Sequence, residues 1–287
     1  MSHFSTALHW AKDAVWDLWD LAVPHLCACC QAYGPNMRGR GALCPRCDVL
    51  LRHSLLNVHT PQLRYPSVPV VSAGLYEHEV ARSLVAFKNA GRFDQCSYLV
   101  TGLVRAFDTL QATQCPTLRS ERDIFLVPMP SSVSSIHRRG FEPGRVLAER
   151  LARRANEEGA VEGAAAVRVL PCLAKRWQTP WAHLTGDSGQ KTRSASARRL
   201  TDHRTLRIRP PRWALLGQEW ELNGVRCVLV DDVVTTGATL ASAAAVLQDA
   251  GAHVVGAVTV AAVPLRISSV SDEPRPEEGW AEPPYRT

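Results

Sequence analysis

Asp231 and Asp232 stand side by side at the end of an apolar run that begins at Val225. They are followed by a short loop of hydroxyls around one glycine, Thr235-Thr236-Gly237-Ala238-Thr239. The run has the length of a buried strand. Beyond the loop the pattern predicts a helix from about Leu240 to Asp249, closed by Gly251, and a second apolar run from Val254 to Val260. Strand, loop, helix and strand make one βαβ unit, and ligands of open parallel sheets bind beyond the carboxyl ends of the strands, where the two acids stand. A loop that opens a helix offers free backbone N–H groups, threonine hydroxyls and the positive end of the helix dipole, all suited to a phosphate. Gly237 lets backbone approach closely. Acids beside an anion cradle are contradictory unless the ligand is a sugar phosphate, whose hydroxyls the acids accept while the loop takes the phosphate. A ribose 5-phosphate satisfies both halves.

A second constellation is made of cysteines. Five of the nine lie between residues 27 and 47, as Cys27-Ala-Cys29-Cys30 and Cys44-Pro-Arg-Cys47. Two C-x-x-C knuckles joined by a short Gly-rich loop bring four thiolates to one tetrahedral zinc, and four protein ligands leave no open position, so such a zinc is structural. Cys29 could replace a partner or point away; regular spacing favours Cys27 and Cys30. The other cysteines, Cys96, Cys115, Cys172 and Cys227, are scattered. An odd total with no signal peptide points to a reducing cytoplasmic setting rather than a disulfide scaffold.

The elements that must position these groups follow from the punctuation of the chain. Phe4 to Val23 reads as an amphipathic helix stopped by Pro24, and its charges at Lys12, Asp13, Asp17 and Asp20 exclude a transmembrane segment. The prolines of Thr60 to Pro69 mark a connector. Val68 to Ala73 and Leu75 to Tyr76 read as the two strand pieces of a hairpin, Val80 to Phe87 and Tyr98 to Leu110 as helices. Asp123 to Pro130 reads as a buried strand followed by a polar loop and a helix over about Pro143 to Asn156. Residues Thr185 to Asp202 read as a polar, basic excursion, and the Pro- and Glu-rich tail as disordered. Strand-then-helix order predicts an α/β fold with a parallel sheet.

With 287 residues and 46% hydrophobic content the chain is long enough for a sizeable core. Its net charge of +6 is unevenly spread: Ile136 to Trp213 carries 17 basic and 7 acidic residues, leaving the rest at −4. Regional basicity points to an anionic partner there.

The segment Val228 to Leu240 resembles the phosphoribosyl-diphosphate motif of type I phosphoribosyltransferases. The wider order resembles the ComF family of competence-associated, phosphoribosyltransferase-like proteins. That resemblance runs over about residues 18 to 263, through the leading helix with Pro24, the paired C-x-x-C knuckles, Phe87-Lys88 with Gly91, Val127-Pro-Met-Pro130, Arg138-Arg139-Gly140-Phe141, Gln190, Arg198 and the acid-loop motif. It implies a type I phosphoribosyltransferase-like parallel sheet flanked by helices over 68–265, preceded by a helix and zinc-ribbon-like module over 1–60 and followed by a tail over 266–287.

The resemblance also implies roles. Asp231 and Asp232 would accept the ribose 2- and 3-hydroxyls, Thr235, Thr236, Gly237, Ala238 and Thr239 would hold the 5-phosphate, and magnesium would ride on the diphosphate, held mostly by substrate oxygens and water. Lys88, Arg138 and Arg139 would neutralise the departing diphosphate. Two departures from the family pattern stand out: Glu142-Pro143 where Asn-Gln is usual, which puts a carboxylate near a diphosphate, and Thr201 where Asn is typical. An acid at the place of Thr235 is the general base of purine salvage transferases, so hypoxanthine or guanine salvage is not expected. Three functions follow: a phosphoribosyltransferase with an unidentified nitrogen acceptor; a factor in DNA uptake or use, binding single-stranded DNA and meeting uptake-machinery proteins; and a regulator that senses phosphoribosyl diphosphate without turnover. For single-stranded DNA the aromatics Phe141, Trp177, Trp181 and Trp213 would stack bases among the basic groups.

Overall fold

The apolar run leading to the acids forms the centre of a sheet. In the computed structural model, which describes residues 26–33, 43–114, 123–158, 165–175, 206–210 and 221–264, Cys227 to Val230 are completely buried. A strand apolar on both sides needs cover on both faces, which is the signature of a parallel sheet. The strands are β1 (Val70–Leu75), β2 (Ile124–Pro128), β3 (Val167–Val169), β6 (Arg226–Val234) and β7 (His253–Ala262), in the order β1-β7-β6-β2-β3. Every neighbouring pair is parallel. The short strands β4 (Leu173–Lys175) and β5 (Leu206–Ile208) pair antiparallel in a separate ribbon.

Helices cover the two faces. On one lie α2 (His78–Ala90), α3 (Cys96–Gln114) and α5 (Pro143–Glu158), which bury Leu84, Phe87, Leu99, Leu103, Leu147 and Leu151 against Val228, Val230 and Val258. On the other lies α6 (Ala238–Asp249), whose Leu240, Ala243, Ala244 and Leu247 share one helical stripe and meet Cys227, Leu229 and Ala257. The small alanines let α6 approach the sheet closely, while Leu240 and Leu247 each contribute about 2 kcal/mol by burial. Helix α1 (Pro45–Ser54) carries Cys47, Leu51 and Leu55 into the same buried cluster as α2 and α3.

This connectivity fixes where a ligand can enter. The chain leaves β2 through α5 on one face and moves outward to β3; it leaves β6 through α6 on the opposite face and moves the other way, to β7. The two connections part at the β2–β6 boundary, opening a crevice at the strand ends where the order reverses.

Several expectations from the sequence need correction. Val68 to Tyr76 is not a hairpin: one strand runs from Val70 to Leu75 and pairs in parallel with β7, nearly two hundred residues further on. Gly74 sits inside that strand because a Cβ there would lie 2.9 Å from the Ser54 carbonyl oxygen, so it permits a close approach of α1 rather than a turn. The polar loop after Pro130 contains a short helix, α4 (Val133–Arg139), capped by the Ser132 hydroxyl, which accepts the Ser135 N–H at 3.2 Å. It buries no residue, so no apolar periodicity announced it. Strand β6 runs on through both acids to Val234, and α6 starts at Ala238 rather than Leu240. The N-terminal helix expected over Phe4 to Val23, Cys115, Trp177, Trp181, Gln190, Arg198, Thr201, Trp213 and the tail lie outside the described residues. Among the described residues no helix is long and apolar enough to cross a membrane.

Candidate functional site

The crevice at the switch point is a cavity of about 260 Å³. Met129, Pro130 and the serines at 131, 132 and 135 line it from the β2 side, Asp231, Asp232 and Thr239 from the β6 side, and Arg139, Gly144 and Lys175 from elsewhere. Gly144 lets the start of α5 approach β2 closely, since a Cβ there would lie 3.1 Å from the Met129 carbonyl oxygen.

The two acids face opposite sides of β6, because successive side chains alternate along a strand. Asp232 turns towards the α2 face, where Lys88 Nζ meets its Oδ1 at 2.7 Å. Asp231 sits in register with Thr259 of β7, which in turn lies opposite Ser72 of β1. The Ser72 and Thr259 hydroxyls are both fully buried and bond each other at 2.5 Å. Desolvation first, and the neighbouring Asp232 charge second, push the Asp231 carboxyl up to about 8, against the Asp232 N–H that donates to its Oδ1 at 2.9 Å and the weaker pull of Lys88 and Lys175. A shift in that direction lowers the negative charge the pair presents, which eases the conflict between an acid pair and an anionic ligand.

The cations reach the site through an aromatic trio. Phe87, fully buried, packs edge-on against Phe93 and Phe141 with ring centroids 6.1 and 5.6 Å away, and Phe93 and Phe141 are 4.8 Å apart. That contact pins the end of α2 to the loop after α4. The residue following Phe87 is Lys88 on Asp232, and two residues before Phe141 is Arg139, whose Nε is buried with no hydrogen-bond partner among the described residues. Arg138, by contrast, is exposed and does not line the cavity. Glu142, three residues after Arg139, is partly buried and does not line the cavity; its carbonyl accepts the Val146 N–H at the start of α5.

The loop 235–239 forms the entry to α6. Gly237 is the N-cap and has φ +81°, a left-handed conformation that favours glycine. Thr235 and Thr239 are exposed, Thr236 and Ala238 half-buried, and the Thr236 hydroxyl accepts the Ala238 N–H at 3.4 Å. The structure therefore gathers Asp231, Asp232, Thr239, Lys88 and Arg139 at one mouth, with Arg138 turned away. Lys175 and the three serines were not singled out in the sequence. Lys175 had only its place at the end of a short apolar run to mark it.

The cysteines form a separate centre. The sulfurs of Cys27, Cys30, Cys44 and Cys47 all lie within 4.8 Å of one another, and Cys30 and Cys44 are 3.7 Å apart. Zinc–sulfur bonds of about 2.3 Å in a tetrahedron place sulfurs about 3.8 Å apart, so the donor set and its spacing fit a structural zinc. Cys44 caps α1 with Pro45 behind it, which sets Cys47 in the first turn. In the other knuckle Gln31 turns back, its N–H on the Cys27 carbonyl at 2.9 Å. Burial opposes the Cys27 thiolate, but backbone N–H groups of Cys30, Cys44 and Cys29 outweigh it and bring the thiol down to about 6. Cys29 points away: its thiol meets the Glu79 carbonyl at 3.5 Å, and burial pushes it up to about 12. Cys29 is not one of the four.

Residues 133–275 match the model of the phosphoribosyl transferase domain. The adenine phosphoribosyltransferase of Saccharomyces cerevisiae, complexed with an imino-altritol bisphosphate and adenine, is similar over 75% of this chain and 89% of that chain, at 16% identity and a TM-score of 0.34. A second adenine phosphoribosyltransferase structure is 17% identical, over 74% of this chain and 89% of its own, with a TM-score of 0.33. No curated protein matches the sequence. The matched domain takes in α4, β2's partner β6 with both acids, the 235–239 loop, α6 and β7. With its parallel sheet flanked by helices, the chain has a phosphoribosyltransferase-type fold, and residues 133–275 carry the phosphoribosyl transferase domain.

Proposed function

We propose that this protein binds phosphoribosyl diphosphate at the mouth formed by residues 231–239 and transfers its ribose 5-phosphate to a nitrogen nucleophile. The observation that supports this best is the meeting, in one cavity, of the acid pair, the loop end at Thr239 and two cations that have a use for an anion, Arg139 and Lys175. Asp231 and Asp232 accept the ribose hydroxyls, and Thr235, Thr236, Gly237, Ala238 and Thr239 hold the 5-phosphate through N–H groups, hydroxyls and the helix dipole. Lys88 leaves Asp232 as the ribose arrives and joins Arg139 on the diphosphate; Arg138, exposed outside the cavity, adds only long-range attraction. The C1–O bond to the diphosphate breaks with its electron pair going to the leaving group, a C1–N bond forms, and the nucleophile's proton is lost to solvent. Donors already fixed where negative charge develops lower such a barrier most. Magnesium, held mostly by diphosphate oxygens and water, would screen the leaving charge.

On the ComF resemblance we place this activity in the handling of DNA taken up by the cell, in the cytoplasm, with a zinc-stapled module over 1–60 beside the transferase domain over 68–265. The basic stretch from Ile136 to Trp213 supports contact with single-stranded DNA or with proteins of the uptake machinery. A second reading, a sensor of phosphoribosyl diphosphate without turnover, is favoured by Glu142, a partly buried acid three positions after Arg139 where the ComF pattern has Asn.

Diphosphate release across a panel of nitrogenous bases tests the proposal. Release with one acceptor supports transfer. Tight binding of phosphoribosyl diphosphate with no release for any acceptor supports the sensor, and salt-sensitive binding of single-stranded DNA with neither supports the uptake factor alone. Absence of all three overturns the reading.

A further inference from the structure

The connector that leads from α1 to β1 crosses the back of the 235–239 loop. It is anchored at both ends. His59 and Ser72 exchange backbone bonds of 3.0 and 2.9 Å, and the Pro69 carbonyl accepts the Ala257 N–H at 2.8 Å. Between these anchors the Tyr65 N–H donates to the Thr236 carbonyl at 3.0 Å. Gly237 presses on the same strap: a Cβ there would stand 2.9 Å from the Tyr65 carbonyl oxygen and 3.0 Å from Leu63 Cδ1. Leu63 is itself packed against the buried cluster beneath α6.

We infer that Tyr65 and Leu63 are positioning residues for the phosphate end of the ligand. A peptide unit is planar and trans, so its C=O and N–H point in opposite directions. Tying the Thr236 carbonyl to the strap turns the N–H of the same peptide, that of Gly237, away from the strap and out of the loop. Leu63 fills the space below Gly237 and keeps that peptide from rotating back. The strap thus presets one donor that a phosphate needs, and ordering it before binding spares the ligand that conformational cost. This rests on the reading of residues 235–239 as a phosphate loop.

The test compares Tyr65→Pro, which deletes the N–H, with Tyr65→Ala, which keeps it but removes the ring, and with Leu63→Ala. The probes are ribose 5-phosphate, which engages the loop, and inorganic diphosphate with magnesium, which engages the cations. Tyr65→Pro is expected to weaken ribose 5-phosphate about tenfold, or 1.4 kcal/mol, and Leu63→Ala about threefold. Tyr65→Ala stays within twofold, and diphosphate affinity is unchanged in all three. A general loosening of the fold would weaken both probes equally and overturns the inference, as does a Tyr65→Pro protein that binds ribose 5-phosphate like the wild type. Amide exchange in the free protein supplies the ligand-independent arm: Tyr65→Pro should raise exchange across 236–240 and leave β7 protected. Wild-type protein that ignores ribose 5-phosphate refutes the phosphate reading of the loop; unchanged exchange at 236–240 refutes the strap.

Discussion

Replacing Lys88 by methionine removes the ammonium that holds Asp232 while keeping most of the side-chain volume. At 2.7 Å and an effective dielectric of ~20 the bare attraction is about 6 kcal/mol, and desolvation of the two groups offsets most of it. Removing one partner of a fully buried pair costs about 3–5 kcal/mol. Here the side chains remain 23% and 17% exposed, so solvent screening lowers the expected loss to about 2 kcal/mol. For a protein of this size that corresponds to a fall in Tm of about 4–8 °C. The double variant Lys88→Met with Asp232→Asn leaves no unpaired charge and should regain most of it, giving a coupling of about 1–2 kcal/mol in a double-mutant cycle. Urea unfolding at neutral pH of the wild type, both single variants and the double variant measures the cycle. A coupling below about 0.5 kcal/mol would show that the contact does not organise the site.

The Asp231 carboxyl has a folded-state pKa raised from 3.8 to about 8. The folded chain therefore holds a proton that the unfolded chain has lost, and the associated stability is full below pH ~4 and falls as pH rises to about 8. Asp231→Asn should lose that slope, so that its Tm gains on the wild type steadily between pH 5 and pH 8.5; parallel melting curves across that range would contradict the assignment. Metal analysis should find about one zinc per chain, lost in Cys47→Ser and kept in Cys29→Ser. Equal metal content in the two variants would refute the four-sulfur set. Arg139→Gln should weaken inorganic diphosphate about tenfold or more, since its guanidinium lines the cavity with Nε unpartnered, whereas exposed Arg138→Gln should cost threefold or less; isothermal titration separates them, and the reverse order would overturn the cation assignment.

Local pattern carried the parts of this fold that are contiguous in the chain. The β6–loop–α6–β7 unit was legible because each element has its own period and its own punctuation: an unbroken apolar run, a hydroxyl-rich loop and an alanine-rich amphipathic stripe. The knuckles were legible because zinc chemistry dictates their spacing. Pairings across long stretches were not. Val70 to Leu75 has the composition of a strand, but nothing nearby indicates that its neighbour is β7, and a local hairpin is the natural reading of two short apolar pieces around Gly74. Helix α4 and the three-residue strands β3, β4 and β5 are too short for a period to register. At the site, Asp231 and Asp232 announce themselves, yet the contact of Lys88 with Asp232 bridges 144 positions, and Lys175 reaches the mouth only through the small β4–β5 ribbon. The strap over Gly237 is visible in the sequence merely as a run of prolines. A connector rich in proline reads as a spacer, and its grip on the loop depends on a backbone N–H that any residue but proline would supply.

The central claim, that the acid pair and its loop bind a phosphoribosyl ligand, is tested most directly by calorimetric titration of phosphoribosyl diphosphate with magnesium into the wild type and into the double variant Asp231→Ala with Asp232→Ala, each first checked for a cooperative melt. Saturable binding to the wild type, at least tenfold weaker in the variant, is the expected result. No heat of binding in a folded wild type, or equal affinity in the two proteins, would contradict it.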